Sequence, residues 1–153
     1  ITAFEIKSDK DNLHKLPEQL NDYQNTFSFC YLVTTEKHLK NARSLVPQKT
    51  GIILIKNGQV EVLRKPMESK RLSKHSLTLG LSGKNIKSLI GDNQKHLPIH
   101  HKRTHIEEKT TLTHLKRCFY EDLLEKYQKR YNNFLADRGL KTSMSDLYYL
   151  QSN

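Results

Sequence analysis

The sequence has few cysteines and no long hydrophobic run, and each lack excludes a class of protein. Cys30 and Cys118 are too few for a disulfide framework or a zinc site, so free thiols in a cytoplasmic protein are expected. No apolar run approaches the roughly 18 residues that a membrane-spanning helix needs. Only 35% of the residues are hydrophobic, which predicts a modest core and a part of the chain that is extended or dependent on a partner.

Positive charge is abundant, and it is concentrated in the middle of the chain. Residues 64–117 carry 13 Lys/Arg and 4 Asp/Glu, which is +9 of the total net charge of +10. The same segment holds six of the eight histidines. A polyanion is the expected partner of such a segment. We expect DNA, with RNA not excluded and no membrane partner; an acidic partner or a solvated basic loop are the alternatives.

The hydrophobic patterns of residues 1–65 predict an α/β core. A helix between two strands favours a parallel pair with a right-handed crossover, and an Asn-Gly pair between two apolar runs favours a tight hairpin. The predicted order is β-α-β-α-β-β with mixed strand directions. Strands are expected over Ile1–Ile6, Phe27–Thr34 and both sides of Asn57-Gly58, and helices over about 17–25 and 36–45.

Residues 66–153 are predicted to form a separate basic and mostly helical region. Gly91–Lys109 shows no clear periodicity, whereas apolar residues recur every three or four positions farther along. We expect aromatic residues of that stripe, including Tyr127 and Tyr131, to be helix core. Helices are predicted over Gly83–Ile90, about Thr113–Asp137, and from Ser143 or Ser145 to Leu150.

The short pattern Glu5-Ile6-Lys7 is the part of the sequence that suggests chemistry. In a strand, Glu5 and Lys7 project from one face about 6–7 Å apart. A carboxylate can hold Mg²⁺ or Mn²⁺, and a neighbouring lysine can activate a metal-bound water and offset phosphate charge. A structural ion pair on the face of a strand would show the same sequence pattern, so the pattern alone leaves both interpretations open.

The order of elements around this pattern resembles the PD-(D/E)XK nuclease superfamily. An E-x-K strand is followed by a helix with Gln19, then by a strand, a helix and a strand. The strings FEIKSDKDNLHKLPEQLNDYQ, FSFCYLVTTEKHLKNA and VPQKTGIILIKNGQVEVLRK are also similar to a small uncharacterised bacterial and phage family in that superfamily. The resemblance covers about residues 1–65. It implies a restriction-endonuclease-like mixed sheet flanked by helices, with a basic helical extension, and Mg²⁺-dependent hydrolysis of DNA phosphodiester bonds.

The resemblance also implies roles for individual residues. Glu5 would be a metal-ligating acid, and Ile6 would offer its backbone carbonyl to the metal. Lys7 would be the catalytic lysine. Gln19 would contribute to the catalytic site as a metal-shell or phosphate contact, and Tyr23, one turn later on the helix, would support it.

One element of the superfamily pattern is missing, namely an aspartate on the strand before the E-x-K strand. Asp9 and Asp11 follow the motif and cannot be that residue by order. We therefore expect the chain to be a C-terminal fragment of a longer protein, or else the site is incomplete. Ser8 and Asp9 match the family string without an assigned role, and Ser8 is counted as a supporting residue.

The basic segment is expected to contact the phosphate backbone, which makes binding depend strongly on salt. The candidate contact residues are Lys70, Arg71, Lys74, Lys84, Lys87, Lys102 and Arg103.

Two other functions remain open at this point. A non-catalytic DNA-binding or regulatory module on the same fold would keep the E-x-K pair as an ion pair or a relic. A protein-interaction module recruited through the C-terminal helices is the third possibility. The sequence leaves strandedness, sequence preference and the formation of a homodimer undecided.

Overall fold

The structure is a computed structural model, and it describes residues 1–140 and residue 142. The elements in chain order are β1 (Thr2–Lys7), α1 (Leu16–Thr26), β2 (Phe29–Thr35), α2 (Glu36–Leu45), β3 (Gly51–Lys56), β4 (Gln59–Arg64), α3 (Lys74–Gly80), α4 (Gly83–Leu89), a 3-10 turn (Asp92–Gln94), α5 (Ile99–Lys109) and α6 (Leu112–Asp137).

The four strands form one mixed sheet in the order β1-β2-β3-β4. β1, β2 and β3 run parallel, and β4 returns antiparallel to β3. α1 and α2 each connect two parallel neighbours, as a crossover requires. The predicted mixed α/β class with a helical C-terminal region is therefore confirmed, whereas the finer restriction-endonuclease-like assignment is not.

The hairpin between β3 and β4 has the conformation that its sequence predicts. Asn57 and Gly58 have φ angles of 51° and 74°. A type I′ turn needs positive φ at both central residues, and asparagine and glycine adopt it at the lowest cost. The turn fixes the register of Lys56 opposite Gln59.

The core of the first part of the chain lies between one face of the sheet and helices α1 and α2. Side chains from both helices and two strands meet there. Since Glu5 is in register with Leu32, the core face of β1 also carries Glu5 and Lys7, because alternate residues share a face. The buried cluster consists of Leu16, Leu20, Leu32, Ala42, Val46 and Ile52.

The segment after β4 returns to the C-terminal end of α1. The Ser69 hydroxyl donates to the backbone oxygen of Gln24 at 2.7 Å, and the Ser69 amide donates to the Ser28 oxygen at 2.7 Å. Ser69 is only 5% exposed. These bonds place the beginning of the basic segment against the α/β core.

The chain divides into two compact units, Ile1–Leu79 and Gly80–Asn153. The boundary that the sequence suggests at residue 65 stays a prediction about domains. In the second unit, α4 and α6 begin at hydroxyl caps: Ser82 accepts from the Asn85 amide and Thr111 from the His114 amide, as residues at helix N-termini commonly do.

Two helices are not predicted from the sequence, because their apolar pattern is weak. α5 buries only Ile106, so it lacks the recurring stripe on which a helix prediction depends. α3 is a short helix in a stretch that the sequence shows as basic and weakly periodic.

The long helix α6 is confirmed almost to the residue, but its burial is not as expected. Leu115, Phe119 and Phe134 are buried, whereas Tyr127 and Tyr131 are 42% and 52% exposed. The prediction that both tyrosines are core is therefore wrong: spacing identifies one side of a helix, not how much of it is covered. The predicted helix from Ser143 or Ser145 lies outside the described residues. Within the described part, no helix is both long and apolar enough to cross a membrane.

Candidate functional site

Strand β1 brings Glu5 and Lys7 together on its inner face. The Lys7 ammonium lies 2.8 Å from Glu5 Oε1, and the two side chains are only 11% and 9% exposed. Ile6, between them, points to the opposite face and is 66% exposed. A charged pair so far removed from water needs further partners, because desolvation costs each ion several kcal/mol.

Helix α1 supplies those partners. Lys7 donates a hydrogen bond to Gln19 Oε1 at 3.0 Å, and the Tyr23 hydroxyl donates to Glu5 Oε2 at 2.9 Å. Gln19 and Tyr23 are four residues apart, so they lie on the same side of the helix. The structure thus joins four residues that the sequence analysis selected into one chain of contacts, Gln19–Lys7–Glu5–Tyr23, which we call the β1–α1 network.

The β1–α1 network raises the pKa of the Tyr23 phenol to about 12. Desolvation by burial is the largest cause, followed by the hydrogen bond to Glu5 and by the charge of that carboxylate. Burial favours the neutral phenol because it removes a phenolate from water, and Glu5 favours it because the phenolate would be a second negative charge beside the carboxylate. Tyr23 therefore serves as a hydrogen-bond donor in this network.

Ser8 lies just beyond the network and closes a small turn. Its amide and its hydroxyl both donate to Asp11 Oδ2, at 2.7 and 2.6 Å. The bonds from Ser8 lower the pKa of the Asp11 carboxyl. The sequence did not identify Asp11 as the hydrogen-bond partner of Ser8, although serine and aspartate three residues apart in a polar segment are typical of such a turn.

Asp9, the acidic residue that matches the family string after Ser8, accepts hydrogen bonds from helix α2 and from the residue that precedes it. Thr35 Oγ1 donates to Asp9 Oδ1, and the Lys37 ammonium donates to the Asp9 backbone oxygen. These contacts fix the loop after β1 against the start of α2, a structural role that the resemblance does not assign.

Mg²⁺ or Mn²⁺ at Glu5 and Ile6 stays a prediction. Among the residues that the structure describes, no three His, Cys, Asp or Glu side chains form a group that could hold a metal ion. Both carboxylate oxygens of Glu5 have partners, so a cation there would compete with Lys7 and Tyr23. Ile6, whose backbone carbonyl was expected to bind the metal, lies within the parallel β1–β2 ladder in register with Val33.

The predicted phosphate contacts are spread over four segments in the two units. Four of the side chains are exposed, namely Lys70, Arg71, Lys84 and Lys87, and three are half-buried, namely Lys74, Lys102 and Arg103.

Two of the exposed cations already have partners in their own unit. Arg71 donates to Asn21 Oδ1 at 2.8 Å, and Lys84 pairs with Glu125. Both contacts are exposed, so each can exchange for a phosphate at little cost.

Comparison with known proteins corrects the nuclease assignment. No curated protein and no solved structure matches this chain significantly. The model of the family described as "Bacteriophage P4 protein cII" matches residues 1–151.

No nuclease family is among the matches, so the PD-(D/E)XK membership, the nuclease and hydrolase assignments and the endonuclease function are wrong. The phage origin expected for the family is supported. The error has a physical basis: a buried ion pair satisfied by a helix uses the same residue types and spacing as an E-x-K site. The chain belongs to the bacteriophage P4 protein cII family.

Proposed function

We propose that this protein is a non-catalytic DNA-binding or regulatory module that acts in the cytoplasm through contacts with a polyanion. The observation that carries the proposal is the concentration of charge: residues 64–117 hold 13 Lys/Arg against 4 Asp/Glu. Neutralising backbone phosphates releases their counterions, and this term supplies most of the affinity of non-specific DNA binding.

The exposed basic side chains support this proposal. Lys84 and Lys87 are three residues apart on α4, so their ammonium groups lie on one side of the helix. Lys70 and Arg71 lie between β4 and α3 and are exposed. Lysine and arginine at such positions can reach phosphate oxygens without losing a buried partner.

The β1–α1 network supports the non-catalytic part of the proposal. Its two hydrogen bonds connect strand β1 to the helix packed on it, and its ion pair lies within β1 and holds the two bonded side chains together. Holding β1 against α1 is a structural role, and it occupies both the ammonium of Lys7 and the carboxylate of Glu5. Residues that couple β1 to α1 affect stability rather than DNA contact.

The experiment that tests the proposal is the binding of a labelled DNA duplex, followed by fluorescence anisotropy over a range of salt concentrations. We expect the triple variant Lys70→Gln, Arg71→Gln, Lys87→Gln to bind more weakly and to have a flatter dependence of log Kd on log salt. Each phosphate that the variant no longer neutralises should reduce the slope by about 0.9.

A matched control removes the same charge outside the basic segment. Lys40, Lys126 and Lys129 are exposed, and their change to glutamine lowers the net charge by the same three units. We expect the slope of this control to stay close to that of the parent protein. Equal slopes for the two triple variants would contradict phosphate contacts by the basic residues of 64–117.

A homodimer remains part of the proposal rather than an observation. The number of chains per DNA duplex, measured by analytical ultracentrifugation, decides it: two chains on one duplex are expected of a homodimer, and one chain on a minimal duplex would contradict it.

A further inference from the structure

A cavity of about 650 Å³ opens between the loop after β1 and helices α1 and α2. All of its residues belong to the first unit. The loop supplies polar groups, α1 supplies its first turn, and α2 supplies one complete side. The residues that matter most are Asp11, His14, Pro17, His38, Asn41 and Leu45.

His38 is the buried member of this lining. The residue is only 9% exposed, and its Nε2 has no hydrogen-bond partner among the described residues. Buried polar atoms in folded proteins are nearly always paired, with protein or with ordered water. The lining of the cavity therefore includes a residue whose unpaired nitrogen is shielded from solvent.

The remaining lining combines polar groups with apolar surface. The Asn41 side-chain amide offers a donor and an acceptor, and Asp11 accepts both Ser8 bonds on Oδ2, which leaves Oδ1 without a donor among the described residues. Pro17 and Leu45, which is 40% exposed, supply apolar surface. An amide and a carboxylate beside apolar surface are complementary to the face and the hydrogen-bonding edge of a nucleobase.

A second cavity of about 410 Å³ lies beside the first and shares Asp11, Asn12 and His14 with it. It is also lined by Lys15, which is exposed, and by Lys7. Lys7 is neutralised by Glu5, so the charged groups left in this lining are the exposed ammonium of Lys15, which can pair with an anion, and the carboxylate of Asp11. A phosphate can lie in this second cavity while its base occupies the first.

We propose that these two adjacent cavities bind one nucleotide. The base lies between Pro17 and Leu45 with its polar edge towards Asn41, and the phosphate lies near Lys15. The nucleotide is either free or an unpaired unit of a single strand, since both present the same base and phosphate. This site does not include residues 64–117, so its test is independent of the proposed contacts between those residues and DNA phosphates.

The test is a titration of the whole chain with the four common nucleoside 5′-monophosphates and, in parallel, with single-stranded oligonucleotides, followed by amide NMR shifts. We expect saturable shifts at the cavity residues. Saturation by mononucleotides identifies a free nucleotide as the ligand, and saturation by oligonucleotides alone identifies an unpaired base in a strand. No shift of cavity residues with either ligand overturns the proposal.

Two variants on the same helix separate the cavity from its surroundings. Asn41→Trp fills the cavity from an exposed position and should weaken binding by about tenfold or more. Lys40→Trp places the same ring outside the cavity and should leave the affinity unchanged. If Asn41→Trp fails to fold, Ser44→Tyr, also exposed and lining the cavity, replaces it. Cavity shifts that persist in the folded filled variant overturn the proposal.

Discussion

At the scale of single residues, the β1–α1 network determines what Glu5 and Lys7 do. The resemblance to a nuclease family implied that Gln19 and Tyr23 would lie near Glu5 and Lys7, whereas the sequence itself predicted only that Glu5 and Lys7 share one face of a strand. It could not predict whether these side chains would hold a metal or one another. That depends on burial and on donor positions, which only the packing of α1 on the sheet determines.

The ion pair should be worth much more than an exposed one. We expect Lys7→Met to lower the free energy of unfolding by about 3 kcal/mol, because it leaves the Glu5 carboxylate buried without its cation. Urea denaturation measures the loss. The control Lys56→Met breaks the pair with Glu36, in which both side chains are more than half exposed, and should cost much less because solvent screens an exposed pair. A loss for Lys7→Met no larger than the control would contradict a structural role.

The pKa of Tyr23 gives a second prediction at this scale. A phenol titrates near pH 10 in an unfolded chain, and that of Tyr23 titrates near 12 in the folded protein. The neutral phenol therefore favours folding. Its contribution is fully present below pH 10 and is lost as the pH rises from about 10 to about 12.

Phenolate absorbance checks this assignment. The absorbance titration should contain a late step near pH 12 from Tyr23, and Tyr23→Phe should remove that step. The control Tyr127→Phe, at a 42% exposed position, should leave it in place. A late step that survives Tyr23→Phe would show that another residue causes it.

At the scale of elements, the sequence predicted well wherever local chemistry and packing agree. The Asn57-Gly58 hairpin and the β-α-β-α-β order follow from turn chemistry and apolar periodicity. α3 and α5 were missed because helices with few buried positions leave little pattern in the sequence. Tyr127 and Tyr131 were misjudged because burial depends on neighbouring segments, which a single stripe does not reveal.

The start of β3 gives a prediction at the element scale. A Cβ added at Gly51 would lie 2.4 Å from the Tyr31 ring, and the same ring stacks on Phe4 with 5.4 Å between centroids. We expect Gly51→Ala to destabilise the protein by about 1–3 kcal/mol, since the ring must move and break that stack.

The matched control for this substitution is Gly83→Ala in α4, where an added Cβ meets no atom within 4 Å. It should be neutral or slightly stabilising, because alanine is the better helix former. Thermal unfolding compares the two variants. Equal melting temperatures would mean that Tyr31 does not constrain β3.

At the scale of the whole molecule, charge distribution is the feature that sequence alone gives in full. The excess in residues 64–117 is a count, and it needs no structure. The family was beyond such reasoning, because short patterns such as E-x-K arise in unrelated proteins for unrelated reasons. The cavity beside His38 was also beyond it, because residues 11–17 and 38–45 come together only when α1 and α2 pack on the same sheet.

Binding of the whole chain to a DNA duplex between about 50 and 200 mM salt tests the non-catalytic DNA-binding function most directly. We predict that the affinity falls steeply over this range, with a log–log slope of about −3 or steeper if three or more phosphates are neutralised, and that the DNA stays intact with divalent cations present. A salt-independent affinity, no binding at the lowest salt, or cleavage of the duplex would contradict this function.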